Sequence, residues 1–165
     1  MKKIRLFLYL IVFFVSTSCG YEPIYSKNIN KNINKELLSI SINNIKNRSG
    51  QILRNTLLNQ LNPERERVIT KYRLIIEISE SSRSLGYRRD MSATRADLEV
   101  IAKYFLKNAK NDEIILKEEV KSISSFDVVE SVYATLVAEK DAREKNLKII
   151  SDNIYTNLVI FFKKK

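Results

Sequence analysis

Histidine is missing altogether, cysteine occurs once, and the chain holds only three glycines and two prolines. Without histidine, the commonest general base and metal ligand is gone. A single cysteine permits no disulfide within the chain and no zinc-type cluster. The sequence contains no GxSxG, no HExxH and no phosphate-cradling glycine loop. Carboxylate or serine chemistry survives this count, and a deep pocket with paired carboxylates would revive it. The expectation is a binding protein with no catalytic residue, no metal and no cofactor.

What the chain does have is positive charge. Its 29 lysines and arginines against 19 acids give a formal net charge of +10, which points to anionic partners. Nucleic acid is not the expected one, because acidic residues are dispersed among the basic ones and leave no clean stripe. A leader sequence points the same way. Lys2, Lys3 and Arg5 precede an apolar run from Leu6 to Val15, and the small residues Ser16, Thr17 and Ser18 lead to Cys19. That is the layout of a secretory signal peptide, and the run falls short of the roughly 20 apolar residues of a transmembrane helix. A small residue before cysteine at such a site resembles the bacterial lipobox, whose cysteine is acylated, although Ser16 stands where that pattern prefers leucine. The alternatives are an ordinary signal peptide with an incidental cysteine, or an uncleaved anchor. The expected organisation is a lipoprotein signal peptide over 1–18, a lipidated N-terminus and tether over 19–35, and a single domain over 36–165. The closing "FFKKK" is too short to span a membrane and reads as a basic tail.

Within the domain, Leu38, Ile40 and Ile42 alternate with polar residues and predict a first strand. Ser49 is a candidate N-cap for a helix over "GQILRNTLLNQL", with Leu53, Leu57 and Leu61 on one face and Pro63 ending it. Tyr72, Leu74, Ile76 and Ile78 predict a second strand. "SSRSLGYRRDMSAT" follows as a loop or an irregular strand extension. A long third strand carries Ala96, Leu98, Val100, Ala102, Tyr104 and Leu106 on one face, and Ile114, Leu116, Val120 and Phe126 predict its hairpin partner. From about residue 129 to 162 no glycine or proline interrupts a terminal helix. Its apolar arc collects Val132, Tyr133, Leu136, Leu147, Ile150, Ile154, Leu158 and Phe161, with Tyr133 expected in the core. Lys140 and Arg143 fall into the same arc, so the helix is expected to overhang the sheet there or to snorkel those side chains. No internal repeat is present. The order predicts an α+β two-layer sandwich, a four-stranded mostly antiparallel sheet with two helices on one face. The other face would stay partly bare. It would carry Arg73, Glu77, Arg95, Asp97, Glu99, Lys103, Lys117, Glu119 and Lys121, with Ile75, Ile101 and Phe105 between them.

The segments "CGYEPIY", "LRNTLLNQL", "TRADLEVIAKYFL" and "SVYATLVAEKDAREKNLKIISDNIYTNL" together resemble the lipopolysaccharide-assembly lipoproteins of the LptE family, especially its alphaproteobacterial form. The resemblance implies the same two-layer fold and a lipid attached at Cys19. It also implies partnership with an LptD-like outer-membrane β-barrel, which the protein plugs and helps to assemble, and delivery of lipopolysaccharide to the cell surface. Outer-membrane residence on the periplasmic side follows by analogy, since Gly20 is not the aspartate that retains many enteric lipoproteins in the inner membrane. For lipopolysaccharide, the positions that the resemblance suggests are Arg83, Arg88 and Arg89 after the second strand, then Arg95 and Lys103. The bland reading of Arg95 and Lys103 is cross-strand pairing with acids on a solvated face. A competing function is a basic periplasmic lipoprotein that binds peptidoglycan or anionic lipid as a structural tether.

Overall fold

Strict alternation over three long stretches produces three long strands, and the apolar half of each alternation closes on a layer of helices. The computed structural model describes residues 31–87 and 93–164. In chain order the elements are α1 (Lys31–Leu38), β1 (Ile40–Ile42), α2 (Asn47–Leu61), β2 (Tyr72–Tyr87), β3 (Ala93–Asn108), β4 (Ile114–Asp127) and α3 (Val132–Lys164). The sheet order is β1-β2-β3-β4. β1 runs parallel to β2, while β2–β3 and β3–β4 are antiparallel. This is the expected α+β sandwich, mostly antiparallel.

The register places Leu74, Leu106 and Leu116 in one row and Leu98 beside Ser124, so even-numbered residues of all three long strands face the helices. Against them lie Leu53, Leu57 and Leu61 of α2 and Leu147, Ile150, Ile154 and Leu158 of α3, all buried. Each such fully buried side chain contributes about 1.5–3 kcal/mol by leaving water. α3 is 33 residues long, so it extends for roughly 50 Å and lies across the sheet as its longest element.

Three local expectations change. The stretch expected as a tether already folds at Lys31, because Ile33 and Leu37, one helical turn apart, both reach the core. Leu38, expected in the first strand, ends α1 instead, and β1 is only three residues long. Ser49 lies buried in the first turn of α2 and is not its cap; the capping position is Lys46, which makes no side-chain cap bond. The turn is held from elsewhere: Gln51 Nε2 donates to Ile45 O at 2.7 Å and to Asn44 Oδ1 at 2.8 Å.

Gly50 explains why the chain can fold back so tightly there. A Cβ at this position would sit 2.6 Å from Ile45 Cγ2 and 3.0 Å from the Ile45 carbonyl carbon. Alanine normally stabilises a helix interior over glycine, but here the overlap reverses the sign. Gly50→Ala is expected to lower stability by about 1–3 kcal/mol, the usual cost of overpacking, as read from chemical denaturation.

The polar stretch after the second strand is resolved in favour of strand extension. β2 continues to Tyr87, with register irregularities at Ser84/Gly86 and Gly86/Tyr87, and β3 begins at Ala93.

Candidate functional site

Helices α2 and α3 cover the even face, which leaves the odd face of β2, β3 and β4 open. Successive rows across these strands read Ile75–Phe105–Lys117, Glu77–Lys103–Glu119, Ser79–Ile101–Lys121, Ser81–Glu99–Ile123 and Arg83–Asp97–Ser125. The expected bare face is therefore real, and its charges alternate along rows and diagonals. Lys103 stands between two glutamates and pairs with Glu119 at 3.7 Å. Lys121 pairs diagonally with Glu99, whose carboxyl is held below its ordinary pKa mainly by that hydrogen bond. Arg83 Nη2 lies 3.9 Å from Asp97 Oδ2, and Ser125 Oγ donates to Asp97 Oδ1 at 2.6 Å. Lys117 Nζ sits 5.6 Å from the centre of the Phe105 ring, within cation–π range.

These contacts sort the candidate residues. Arg83 and Lys103 are engaged in cross-strand pairs, as the bland reading expected for Lys103. Such exposed pairs are worth about 0–1 kcal/mol each, so they shape the surface charge more than they stabilise the fold. Arg95 differs. Asp127 is its register partner, yet among the described residues Arg95 makes no ion pair. It lines a cavity of about 580 Å³ at the β4 edge beneath α3, together with Ile123, Phe126, Ala138, Asp141, Ala142, Lys145 and Ile149. Lys145 was not expected there; it comes from a helix whose facing the alternation of strands could not predict. Cys19, Arg88 and Arg89 lie outside the described residues.

The N-terminal part of α3 corrects the sequence expectation. Val132, Tyr133 and Leu136 are 73%, 78% and 57% exposed, and Val137 is 39% exposed. Tyr133 is therefore not core. Toward its C-terminal end, β2 carries Glu80, Ser82 and Ser84 at its even positions, all exposed and with no apolar surface to bury. Arg143 marks the boundary: its Nε donates to Glu80 at 2.9 Å and its Nη2 to Glu139 at 2.5 Å. Beyond that ion-paired collar the helix overhangs the core, as Lys140 and Arg143 suggested. The result is a contiguous apolar stripe in water. Monomeric proteins seldom leave such stripes unused.

The same architecture occurs in three solved lipoprotein structures. A Caulobacter crescentus CB15 chain described as a lipoprotein is 21% identical, covers 81% of this chain and 98% of its own length, and superposes with a TM-score of 0.66. The rare lipoprotein B of Shewanella oneidensis is 9% identical, with 76% and 96% coverage and a TM-score of 0.59. A minor lipoprotein of Acinetobacter baumannii is 12% identical, with 73% and 90% coverage and a TM-score of 0.58. This chain has their fold. Among curated sequences, the uncharacterized protein RP188 of Rickettsia prowazekii is 24% identical over 160 residues, spanning 96% of this chain and 99% of that protein. No family model matches the chain.

Two polar clusters inside the fold escaped sequence reasoning. Near one end of the sheet, Tyr104 OH donates to Glu118 Oε2 at 2.5 Å, and Asn157 Nδ2 donates to both, at 3.0 and 2.8 Å. Burial, followed by the Glu118 hydrogen bond, pushes the Tyr104 phenol well above its ordinary pKa. The folded state therefore holds a proton that the unfolded chain releases above about pH 10, the usual tyrosine value. Stability from this group is fully present below that pH and is lost as pH rises above it. In thermal melts, the wild type should lose stability above about pH 10 more steeply than Tyr104→Phe. Parallel curves would contradict the assignment. The second cluster, around Asn146, is taken up in the Discussion.

Among the described residues, no helix is long and apolar enough to cross a membrane, and no group of three or more His, Cys, Asp or Glu residues could hold a metal ion.

Proposed function

We propose that this chain is a non-enzymatic lipoprotein, anchored through acylated Cys19 to the periplasmic side of the outer membrane. In this reading it occupies the lumen of an LptD-like β-barrel, assists its assembly and helps deliver lipopolysaccharide to the cell surface. The observation that carries the reading is the open sheet face. Three long strands expose a surface whose charges are largely matched within it, with only short apolar islands between. The lumen of a large outer-membrane barrel is polar. A face of this kind complements it through charge pattern more than through greasy contact. The lipoprotein fold and the leader ending at Cys19 support the anchoring.

For lipopolysaccharide phosphates, the best-placed candidate is Arg95, at the sheet edge beneath α3. Among the described residues it makes no ion pair, and its cavity combines Lys145, beside Asp141, with an apolar wall of Phe126, Ile123 and Ile149. Arginine meets a phosphate bidentately and lysine as a point charge.

Depletion of the protein from its own cells tests the proposal. Surface lipopolysaccharide and the amount of folded barrel are expected to fall together. Unchanged lipopolysaccharide, with the protein co-sedimenting on purified cell wall, would replace this reading with that of a peptidoglycan tether.

A further inference from the structure

Strand β4 has a neighbour on one side only. It pairs with β3, and among the described residues its other edge meets no strand. A free edge offers its backbone N–H and C=O groups to any extended chain. The opposite edge of the sheet, β1, is three residues long, whereas β4 runs from Ile114 to Asp127 with neither glycine nor proline. Its ladder with β3 is unbroken from Leu116 to Asp127, so no bulge turns this stretch of the edge away. Charge alone guards it, through Lys117, Glu118, Glu119 and Lys121.

We infer that the β4 edge pairs with β4 of a second copy of this chain, antiparallel about a two-fold axis at Val120. An axis on a residue keeps odd positions opposite odd ones, so the open face of one sheet continues into the open face of the other. At Val120 it sets Glu119 opposite Lys121 of the second copy, and Lys121 opposite the second copy's Glu119. Both side chains are 51% exposed and free to meet a partner strand. Within the chain, Glu77 and Lys103 already lead up to Glu119 in one row. Pairing extends that row to Glu–Lys–Glu–Lys, and opposite charges directly across strands attract. Sliding the strands by two residues in either direction sets Glu119 against Glu119 or Lys121 against Lys121. The charges that repel an arbitrary strand thus select one register of the chain with itself.

The helix layer adds a second fit. The cavity of about 580 Å³ lies between residues 123–126 of β4 and Ala138, Ala142 and Ile149 of α3. In the Val120 register, Leu116 of the second copy stands opposite Ser124, which carries its exposed Ile114 toward the apolar wall of this groove. The dimer closes the cavity at Arg95 and leaves both open sheet faces in water. The inference does not rest on the barrel reading, which a monomeric chain satisfies equally.

Sedimentation of the full chain in density-matched detergent tests the pairing. The wild type is expected to show a monomer–dimer equilibrium that depends on protein concentration. Glu119→Lys and Lys121→Glu, each alone, set like charges across the axis twice and should weaken dimerisation by about tenfold or more. Mixed together, the two variants restore both opposite-charge pairs and should form a heterodimer as tight as the wild-type dimer, scored through a tag on one of them. Thermal melts establish that each variant is folded. Should either fail to fold, Ile123→Lys carries the test: it gains Glu99 as a row neighbour in its own chain and meets Lys117 of the second copy, so it should weaken the dimer. Glu64→Lys, on the exposed turn after α2, should leave the dimer unchanged. A wild type that stays monomeric at every concentration would overturn the inference. So would a dimer indifferent to the charge substitutions, as two anchors sharing a micelle would be, or a mixture of the two variants that stays monomeric.

Discussion

Asn146→Ala is expected to cost about 3–5 kcal/mol of folding stability, several times the effect of a typical surface substitution. Asn146 is fully buried where α3 crosses the sheet. Its Nδ2 donates to Leu98 O at 2.8 Å, and its Oδ1 accepts from Ser122 Oγ at 2.8 Å and Ser124 Oγ at 2.7 Å. One side chain thus satisfies groups on two strands. Its removal leaves a cavity and strips the buried Ser122 hydroxyl, the half-buried Ser124 hydroxyl and the Leu98 carbonyl of this partner, and each buried polar group so left costs about 1–3 kcal/mol. The cost should be largely recovered in the triple variant Asn146→Leu, Ser122→Ala, Ser124→Ala, where the hydroxyls disappear with their partner. Urea denaturation of the three proteins measures this. A loss below about 1 kcal/mol for Asn146→Ala would show that water reaches the site and that the network does not pin the helix.

The second large effect concerns binding with little change in folding. Tyr133→Ser combined with Leu136→Asp should leave stability within about 0.5 kcal/mol of wild type, because neither side chain touches the core. The same double variant should weaken capture of the proposed barrel partner without abolishing it, because the open sheet face remains. The overhanging stripe of Val132, Tyr133, Leu136 and Val137 is solvent-exposed in the isolated chain, so burying it against a partner is where apolar contact remains to be gained. Thermal melts and quantitative capture, measured side by side, separate the two roles. A strongly lowered melting temperature would mean that the stripe packs against the chain itself. Undiminished capture would confine docking to the open sheet face.

Much of the fold was legible because strands of period two declare both of their faces. Leu98, Val100 and Ala102 going inward implied Asp97, Glu99 and Lys103 going outward, and the open face followed from having two predicted helices and one sheet. What failed was whatever depends on which element lies opposite. The 100° arc of α3 groups Tyr133 with Ile150 by angle, but it does not say where along its length the helix leaves the core, and Tyr133 is 78% exposed. α1 was read as a tether because asparagine and lysine dominate it, and only Ile33 and Leu37 mark its buried side. The candidate arginines divided for the same reason. That Lys103 sits between Glu77 and Glu119 is a matter of register, which a single strand's sequence does not contain. Asn146 looked like any polar residue on a long helix until Ser122 and Ser124 stood across from it.

The central claim, an anchored lipoprotein seated in an outer-membrane barrel, is tested most directly by capture. The full chain, tagged at its C-terminus, is lightly crosslinked in its own envelope, and the recovered proteins are identified by mass spectrometry together with the mass of the N-terminal peptide. The account predicts a large outer-membrane barrel and an N-terminal peptide beginning at an acylated Cys19. An unmodified N-terminus with no barrel recovered would contradict it at both ends.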